Sequence, residues 1–363
     1  MLSILAAILL LGILITMHEL GHFLAARACG IAVREYSIGF GPQLFHRTAK
    51  SGTEFSIRVI PMGGYCAFYG EDTTDEQSLA DPRAFAKQAV WKRMITVLMG
   101  PGMNFLLAFA VLFFYIWIGG TASTVPVIAS VEEGSPAMAA GLTAGDQVIE
   151  IDGVNLVDTS LETFTEAISA YQEGSSPLQL SVIRGSENLQ LSLTPFYDEE
   201  LDRYRFGISV STSTRTTVGA DGRVHVITRP ATLVQAASIA WNNCTYAGTA
   251  MVTALKNLVT RGEGLDQTSG PVGIVSMVSS EVRTGGMDAF INLLILISIN
   301  LGIMNLLPIP GLDGSRFVFQ VLEVIRRKPI PPEKEAVVHL AGFVLLFSLM
   351  IFFTYRDIMN LIR

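Results

Sequence analysis

MLSILAAILLLGILITMHELGHFLAA, residues 1–26, is the stretch of sequence that decides the fold of this chain. Residues 1–17 contain no charged side chain, and the apolar pattern continues past His18 and Glu19 to Ala26. A helix needs about 20 apolar residues to cross a bilayer. Because residues 1–17 contain no Lys or Arg, the run lacks the basic start of a signal peptide. We predict a retained membrane-spanning helix over 1–26.

Three further apolar runs have the same character. Half of the 363 residues are hydrophobic and 16% are charged, whereas a soluble globular domain carries about 25% charge. The mean hydropathy is +0.45. The runs predict a second, third and fourth span over 94–118, 287–307 and 336–357. The fold class that follows is an α-helical polytopic membrane protein with about four transmembrane helices.

Lys and Arg residues indicate the orientation of these spans. They are frequent in 27–93 and in 308–335, and short cytoplasmic loops carry an excess of Lys and Arg. The long segment 120–286 contains 9 basic and 18 acidic residues, which is compatible with the opposite side of the membrane. We therefore expect 27–93 and 308–335 to be cytoplasmic and the long segment to be extracytoplasmic.

The segments between the spans differ in their patterns. Within 27–93, residues 35–70 are β-prone around a turn at 50–53 and predict a small hairpin or sheet close to the membrane. Residues 122–212 combine strand patterns with two short helical stretches and predict a separate α+β domain. Residues 231–286 predict an amphipathic helix that lies on the outer membrane surface, followed by a loop.

His18-Glu19-Leu20-Gly21-His22 follows the H-E-x-x-H pattern. Residues four apart lie on nearly the same face of a helix, so both imidazoles can reach one metal ion. Zinc favours nitrogen ligands, and a catalytic zinc site keeps one position open for water. Glu19 is placed to accept the proton of that water. Ionisable residues inside a membrane span indicate function, because each is costly there without a partner.

A third ligand is required, and several residues are candidates. His46, His225, His339 and acidic residues near another span all qualify by residue type. Asp313 is the best candidate, because it follows the third apolar run across Pro308 and Pro310. Irregular backbone at membrane depth is tolerated where it lines protein or a watery cavity. For each of the three histidines, the sequence favours a surface or packing role over that of a ligand.

Two polar positions near the spans have open interpretations. Asn305, near the end of the third span, is suited to holding a substrate carbonyl or an oxyanion, or to a hydrogen bond between helices. Gly100-Pro101-Gly102-Met103-Asn104 interrupts the second span and permits close helix packing.

The cysteines Cys29, Cys66 and Cys244 have neither disulfide nor metal-site spacing, and we assign them no function.

The three motifs together resemble the site-2 protease family. They are HELGH at 18–22, GPGMN at 100–104 and NLLPIPGLDG at 305–314, in the family's order and across nearly the whole chain. The resemblance is to the bacterial regulator-of-sigma-E protease type. It implies that His18, His22 and Asp313 bind Zn2+, that Glu19 is the catalytic base and that Asn305 is the active-site asparagine.

The resemblance also implies an architecture and a substrate class. Residues 122–212 look like one PDZ domain, which would be extracytoplasmic, and residues 35–70 resemble a membrane-associated β-hairpin that binds substrate as an added strand. The implied activity is regulated intramembrane proteolysis in the bacterial inner membrane by a zinc metalloendopeptidase. Its substrate would be a single-span membrane protein, such as an anti-sigma factor, already shortened by another protease. We expect no nucleic-acid partner.

Two other functions remain open on sequence grounds. A metal or proton-coupled transporter would use His18, Glu19 and His22 as a pathway, but it predicts polar groups across several spans, and the second span has no charged residue. An inactive adaptor would act through the PDZ-like domain, but an adaptor has no need of Glu19.

Overall fold

The computed structural model describes residues 2–71, 80–199, 202–218, 224–262 and 270–362. In chain order the elements are α1 (Leu2–Ala28), β1 (Val33–Thr48), β2 (Glu54–Phe68), α2 (Val90–Gly119), β3 (Thr121–Ala122), β4 (Thr124–Val131), α3 (Pro136–Ala139), β5 (Gln147–Ile151), β6 (Val154–Asn155), α4 (Leu161–Ser169), β7 (Leu178–Arg184), β8 (Glu187–Leu193), β9 (Phe196–Asp198), β10 (Arg203–Arg205), β11 (Ile208–Thr214), β12 (Thr216–Val218), β13 (Val224–Val226), β14 (Thr228–Arg229), α5 (Leu233–Arg261), α6 (Pro271–Leu306), α7 (Asp313–Arg326) and α8 (Pro332–Ile362). The chain divides into two compact units. One unit consists of residues 1–114 and 236–363, and the other of residues 115–235.

Four helices of the first unit are long and apolar enough to cross a membrane, within the described part of the chain. The qualifying stretches are Ile4–Ala28 in α1, Val90–Gly119 in α2, Val272–Leu306 in α6 and Lys334–Met359 in α8. The prediction of an α-helical protein with about four apolar spans is therefore confirmed. Large apolar side chains of α8 are exposed, as expected for a helix that contacts lipid; they include Leu340, Phe343, Val344, Phe347 and Ile351.

Helix α6 is longer than the span predicted over 287–307. It begins at Pro271, so residues 271–285 are helical where we expected a loop. The helix is broken at Gly286, whose φ of 61° and ψ of −137° are outside the helical region. Glycine adopts this conformation without the steric penalty of a side chain. Residues 272–278 are mostly apolar as well, but Glu281 and Arg283 interrupt the apolar run before the break, which is why the sequence pattern misses the first half.

Helix α5 covers most of the stretch predicted to be an amphipathic helix on the outer membrane surface. Two of its residues reach the spans: Cys244 and Ala247 contact a cluster formed by Ala108 of α2 with Ile295 and Ile299 of α6. The contact is made by small side chains on one face of α5. The sequence shows that such a face exists but not which partner covers it.

The segment predicted as an irregular cytoplasmic loop, 308–335, is partly helical. Irregular backbone occupies the turns between Leu307 and Leu312 and a second short stretch at 327–331, and α7 lies between them from Asp313 to Arg326. This helix has apolar residues at helical spacing among its charged ones. It is short and amphipathic, so a search for long apolar runs passes over it.

The expected hairpin over 35–70 is a small bent sheet made from β1 and β2. Residues 33–38 pair with 64–68, and Ile38 pairs with residues of both 54–57 and 64–68. Residues 43–48 also pair with 54–58. The strands therefore bend back on themselves: one segment of each strand pairs with two segments of the other, with several irregularities in register.

A partly buried polar network holds this sheet together. The Arg58 guanidinium donates to Glu35 Oε1 at 2.7 Å and to the Tyr65 hydroxyl at 2.6 Å, and that hydroxyl donates to Glu35 Oε2 at 2.7 Å. Burial alone would raise the pKa of Glu35, but the hydrogen bonds from Ser56, Arg58 and Tyr65 hold it below its usual value. The network fixes the position of Tyr65 in β2.

The second unit contains the domain predicted over 122–212. Its main sheet has the strand order β11-β4-β5-β7-β8, with β6 paired to β5. Phe164 and Ile168 of α4 are buried against this sheet. The unit extends beyond the predicted end because β13 pairs with β12 and β14 pairs with β3.

One ion pair in this unit is built on a fully buried carboxylate. Asp146 is 0% exposed, and Arg184 donates to both of its oxygens at 2.7 Å. The Thr143 amide donates to the same carboxylate at 2.9 Å. Burial alone would raise the pKa of Asp146, but the hydrogen bonds from Arg184 and Thr143 outweigh it and hold that pKa below its usual value.

Candidate metal centre

Helix α1 presents both histidines of the H-E-x-x-H pattern to one point. The Nε2 atoms of His18 and His22 lie 3.2 Å apart, and both side chains are buried. Gly21 lies between them, where a Cβ would stand only 2.0 Å from the carbonyl oxygen of Met99 in α2. Only glycine permits this approach, so α1 and α2 touch backbone to backbone beside the histidines.

Asp313, the first residue of α7, completes a set of three ligand atoms. Its Oδ2 lies 3.0 Å from His18 Nε2 and 3.3 Å from His22 Nε2. The three atoms thus form a nearly equilateral triangle. A tetrahedral zinc ion with bonds of about 2.0–2.1 Å separates its ligand atoms by about 3.3 Å. The triangle therefore has the dimensions of three corners of a zinc site.

The chemistry of the donor set also fits a metal. Asp313 Oδ2 is buried, and no described residue other than the two histidines offers it a hydrogen bond, so without a cation or an imidazole proton it would be unsatisfied at a cost in free energy. A cation held between this oxygen and the two nitrogens would satisfy it. Among the described residues, His18, His22 and Asp313 are the set of ionisable side chains with donor atoms close enough to share one ion. Two imidazoles and one carboxylate suit zinc.

The outer nitrogen of each imidazole contacts α2. His22 Nδ1 lies 2.9 Å from the carbonyl oxygen of Thr96, to which a protonated Nδ1 donates. His18 Nδ1 lies 3.2 Å from the Nδ2 atom of Asn104. Contacts to the outer nitrogen fix the orientation and tautomer of a metal-binding imidazole. Sequence reasoning gave neither α2 residue a role; the only signal was the position of Asn104 in the GPGMN motif.

Gly100 provides the space that the His22 ring occupies. A Cβ on Gly100 would lie 2.2 Å from His22 Nε2 and 2.4 Å from its Cε1. Any side chain here would displace the nitrogen that faces His18 and Asp313. The first glycine of the GPGMN motif, Gly100, is therefore required to make room for the ring of a candidate ligand as well as for helix packing.

A cavity of about 360 Å³ opens beside the three ligand atoms. Glu19 lines it together with His18, His22 and Asp313, and so does Asn305 from the end of α6. Residues of β2 form another wall; they are Tyr65, Cys66 and Phe68. The cavity therefore brings together every residue predicted to act in the site, next to the edge of a strand.

The other three histidines lie elsewhere. His46 is exposed on β1, and His225 belongs to β13 of the second unit. His339 of α8 accepts a hydrogen bond from the Gly311 amide at 3.2 Å. This contact supports the irregular loop that leads to Asp313, a role that the sequence did not suggest.

An ion pair closes one end of the cavity. Arg316, on the first turn of α7, donates to Glu71 at 2.5 Å, and both residues line the cavity. The same two residues line a second cavity of about 720 Å³ in this unit, next to Phe319 and His339. The pair therefore stands between the two spaces.

Comparisons with known proteins cover almost the whole chain. Residues 6–349 match the family model described as peptidase family M50. The chain is 33% identical over 369 residues to Atu1380 of Agrobacterium fabrum, which carries the name of a zinc metalloprotease; the match covers 98% of this chain and 95% of that protein. It is 30% identical over 437 residues to the regulator of sigma-W protease RasP of Bacillus subtilis, covering 99% of each.

Solved structures match a smaller part. The PDZ domain of the SdrC-like protein Lin2157 from Listeria innocua is 28% identical, with a TM-score of 0.21, and the match covers 24% of this chain and 92% of that domain. The PDZ domain of Lmo2051 from Listeria monocytogenes is 26% identical, also with a TM-score of 0.21, and covers 24% of this chain and 86% of that domain.

Proposed function

The chain belongs to peptidase family M50, and on this basis we propose that it cleaves single-span membrane proteins within or next to the bilayer, using His18, His22 and Asp313 as zinc ligands. It is a metalloprotease of the site-2 type, and its metal is zinc. A transporter is thereby set aside. The observation that carries the proposal is the triangle of three ligand atoms, 3.0–3.3 Å on a side, beside a cavity that Glu19 also lines.

Each proposed residue has a distinct role in the reaction. When bound, zinc supplies Lewis acidity, which polarises the scissile carbonyl and lowers the pKa of a water molecule. Glu19 accepts the proton of the attacking water and passes it to the leaving amine. The Asn305 amide donates to the carbonyl oxygen as negative charge develops there. The buried position of the ligands keeps bulk water from competing with these contacts.

The sheet next to the cavity supports a way to present the substrate. A transmembrane helix hides its peptide bonds in internal hydrogen bonds, so a protease must first unwind it. Tyr65, Cys66 and Phe68 lie along β2 on the cavity wall. Among the described residues, 64–68 pair with β1 alone, which leaves a strand edge. A substrate segment added to this edge would be extended beside the metal ligands.

The second unit supports a role in choosing the substrate. A groove of about 200 Å³ lies between α4 and β11, and its walls combine apolar side chains with two arginines; they include Leu161, Phe164, Ile168, Phe206, Ile208, Arg203 and Arg205. A groove between a helix and a sheet-edge strand suits an extended peptide with an apolar end. We propose that it binds the new C-terminus of a substrate shortened by an earlier cleavage, such as an anti-sigma factor, on the extracytoplasmic side of a bacterial inner membrane.

The proposal is tested by cleavage of a single-span model substrate with purified, detergent-solubilised protein. Glu19→Gln should retain one zinc per chain and lose 10²- to 10⁴-fold in cleavage rate, the usual contribution of a general base. Glu281→Gln, which changes an exposed carboxylate of α6, is the matched control and should cleave like the wild type. A Glu19→Gln variant that cleaves at the wild-type rate would exclude Glu19 as the base.

A further inference from the structure

Asn104 of α2 is completely buried next to a proposed zinc ligand, and the oxygen of its side-chain amide has no hydrogen-bond partner. Its Nδ2 lies 3.2 Å from His18 Nδ1, while its Oδ1 has no hydrogen-bond partner. The side chain is 0% exposed, in the middle of an apolar helix. An unsatisfied buried carbonyl oxygen costs about 1–3 kcal/mol. A residue kept at this cost should have a state in which the oxygen is used.

The direction of the hydrogen bond depends on the tautomer of His18. A neutral imidazole carries its proton on one nitrogen, and the other nitrogen is an acceptor. An Asn104 amide that donates through Nδ2 requires His18 Nδ1 to be the acceptor, so the proton is on Nε2. A protonated Nε2 cannot bind a metal, yet Nε2 is the atom that faces His22 and Asp313. This contact therefore fits the metal-free tautomer.

Metal binding requires the opposite arrangement. With Nε2 on the ion, Nδ1 carries the proton and needs an acceptor. Rotation of the Asn104 amide by 180° exchanges its oxygen and nitrogen within nearly the same volume and places Oδ1 opposite Nδ1. His22 differs, because its Nδ1 faces the Thr96 carbonyl, which can only accept. The tautomer of His22 is thus fixed in advance by the backbone, whereas that of His18 depends on a side chain.

We propose that Asn104 is a positioning residue for the metal site, whose amide turns over to accept a hydrogen bond from His18 Nδ1 when zinc binds. The inference rests on the proposed role of His18 as a zinc ligand. Asn104 contacts neither substrate nor metal in this role. It holds the His18 ring in the orientation and tautomer that direct Nε2 toward His22 and Asp313.

The test is zinc affinity, measured by competition with a chromogenic chelator on the purified full-length protein. Asn104→Leu keeps the shape of the side chain and removes the acceptor, and it should bind zinc 10- to 100-fold more weakly, the usual effect of losing such a partner. Asn104→Asp keeps the acceptor and loses the donor, and it should bind zinc at least as tightly as the wild type. Cleavage activity should follow the same order at limiting zinc, where the variants differ in zinc occupancy.

Ser298→Ala is the matched control, because Ser298 donates to the backbone carbonyl of Asn104 at 2.8 Å and not to its side-chain oxygen. This variant should bind zinc like the wild type. Asn104→Ala gives the same comparison should Asn104→Leu fail to fold. Wild-type zinc affinity in an acceptor-free variant would overturn the inference, and so would an equal loss in Asn104→Leu and Asn104→Asp. Either result leaves the protease proposal intact, whereas a folded wild type that binds no zinc would remove both.

Discussion

Replacement of Gly100 by alanine tests whether the helix contact and the metal site depend on each other. The new Cβ would lie 2.2 Å from His22 Nε2, and ordinary van der Waals contact begins at 3.4 Å. The ring and the α2 backbone must therefore separate by about 1.2 Å, the difference between these distances. Zinc sites tolerate changes of only about 0.2 Å in their ligand distances. The Nε2 atom would leave its place in the triangle.

The expected result is a loss of function without a loss of fold. A misplacement of about 1 Å costs about 100-fold in rate, which is about 2.7 kcal/mol. We expect Gly100→Ala to lose at least about that factor in both zinc affinity and cleavage rate, while its thermal unfolding in detergent remains cooperative. Zinc affinity is measured by chelator competition, and cleavage by gel analysis of a single-span substrate.

Gly102 provides the control within the same motif. The nearest atom to a Cβ there is Met99 Sδ at 3.5 Å, an ordinary contact with a flexible side chain. Gly102→Ala should therefore bind zinc and cleave like the wild type. Wild-type zinc affinity in Gly100→Ala would refute the reasoning, because it would mean that His22 does not hold the metal in the observed position. Equal losses in both variants would point to helix packing instead.

Three further predictions concern other contacts. Arg184→Ala should destabilise the second unit by about 1–3 kcal/mol in thermal unfolding, because it leaves the buried Asp146 carboxylate without its cation while the half-exposed position of Arg184 lets solvent screen the pair. The folded pKa of Asp146 lies below its unfolded value, so the wild-type contribution is present above about pH 4 and is lost as pH falls through the folded pKa. This acid dependence of stability should shrink in the variant. Asp313→Asn should weaken zinc binding at least about 10-fold by chelator competition, because a neutral amide oxygen replaces a carboxylate, and unchanged affinity would exclude Asp313 as a ligand. His339→Leu should lower the free energy of unfolding by about 0.5–1.5 kcal/mol through loss of the acceptor for the Gly311 amide, whereas His339→Asn, which can still accept, should lose less; equal losses would contradict this role.

The sequence alone predicts the spans and the members of the site. Apolar length identifies α1, α2, α6 and α8, because a bilayer imposes one requirement on every helix that crosses it. The four-residue spacing of His18 and His22 fixes their common face, and the break after the third apolar run singles out Asp313. These features depend on the length of apolar runs and on the spacing of neighbouring residues, both of which can be read from a single sequence.

Features that depend on contacts between distant segments were not predictable. The Asn104 side chain and the Thr96 carbonyl contact the histidines of α1 across a helix interface. No residue spacing within α2 predicts these contacts. The face of α5 is recognisable, but its partner is set by the shapes of α2 and α6. The bent sheet of β1 and β2 depends on irregularities in register that one strand pattern does not reveal.

The two histidines and Asp313 come from opposite ends of the chain, and this separation has a consequence for biosynthesis. A ribosome delivers His18 and His22 to the membrane first, and Asp313 only after the second unit and α6 have been made. On the ligand set proposed above, a nascent chain acquires its third zinc ligand only after α6 has been made, so proteolytic capacity cannot precede the synthesis of α7.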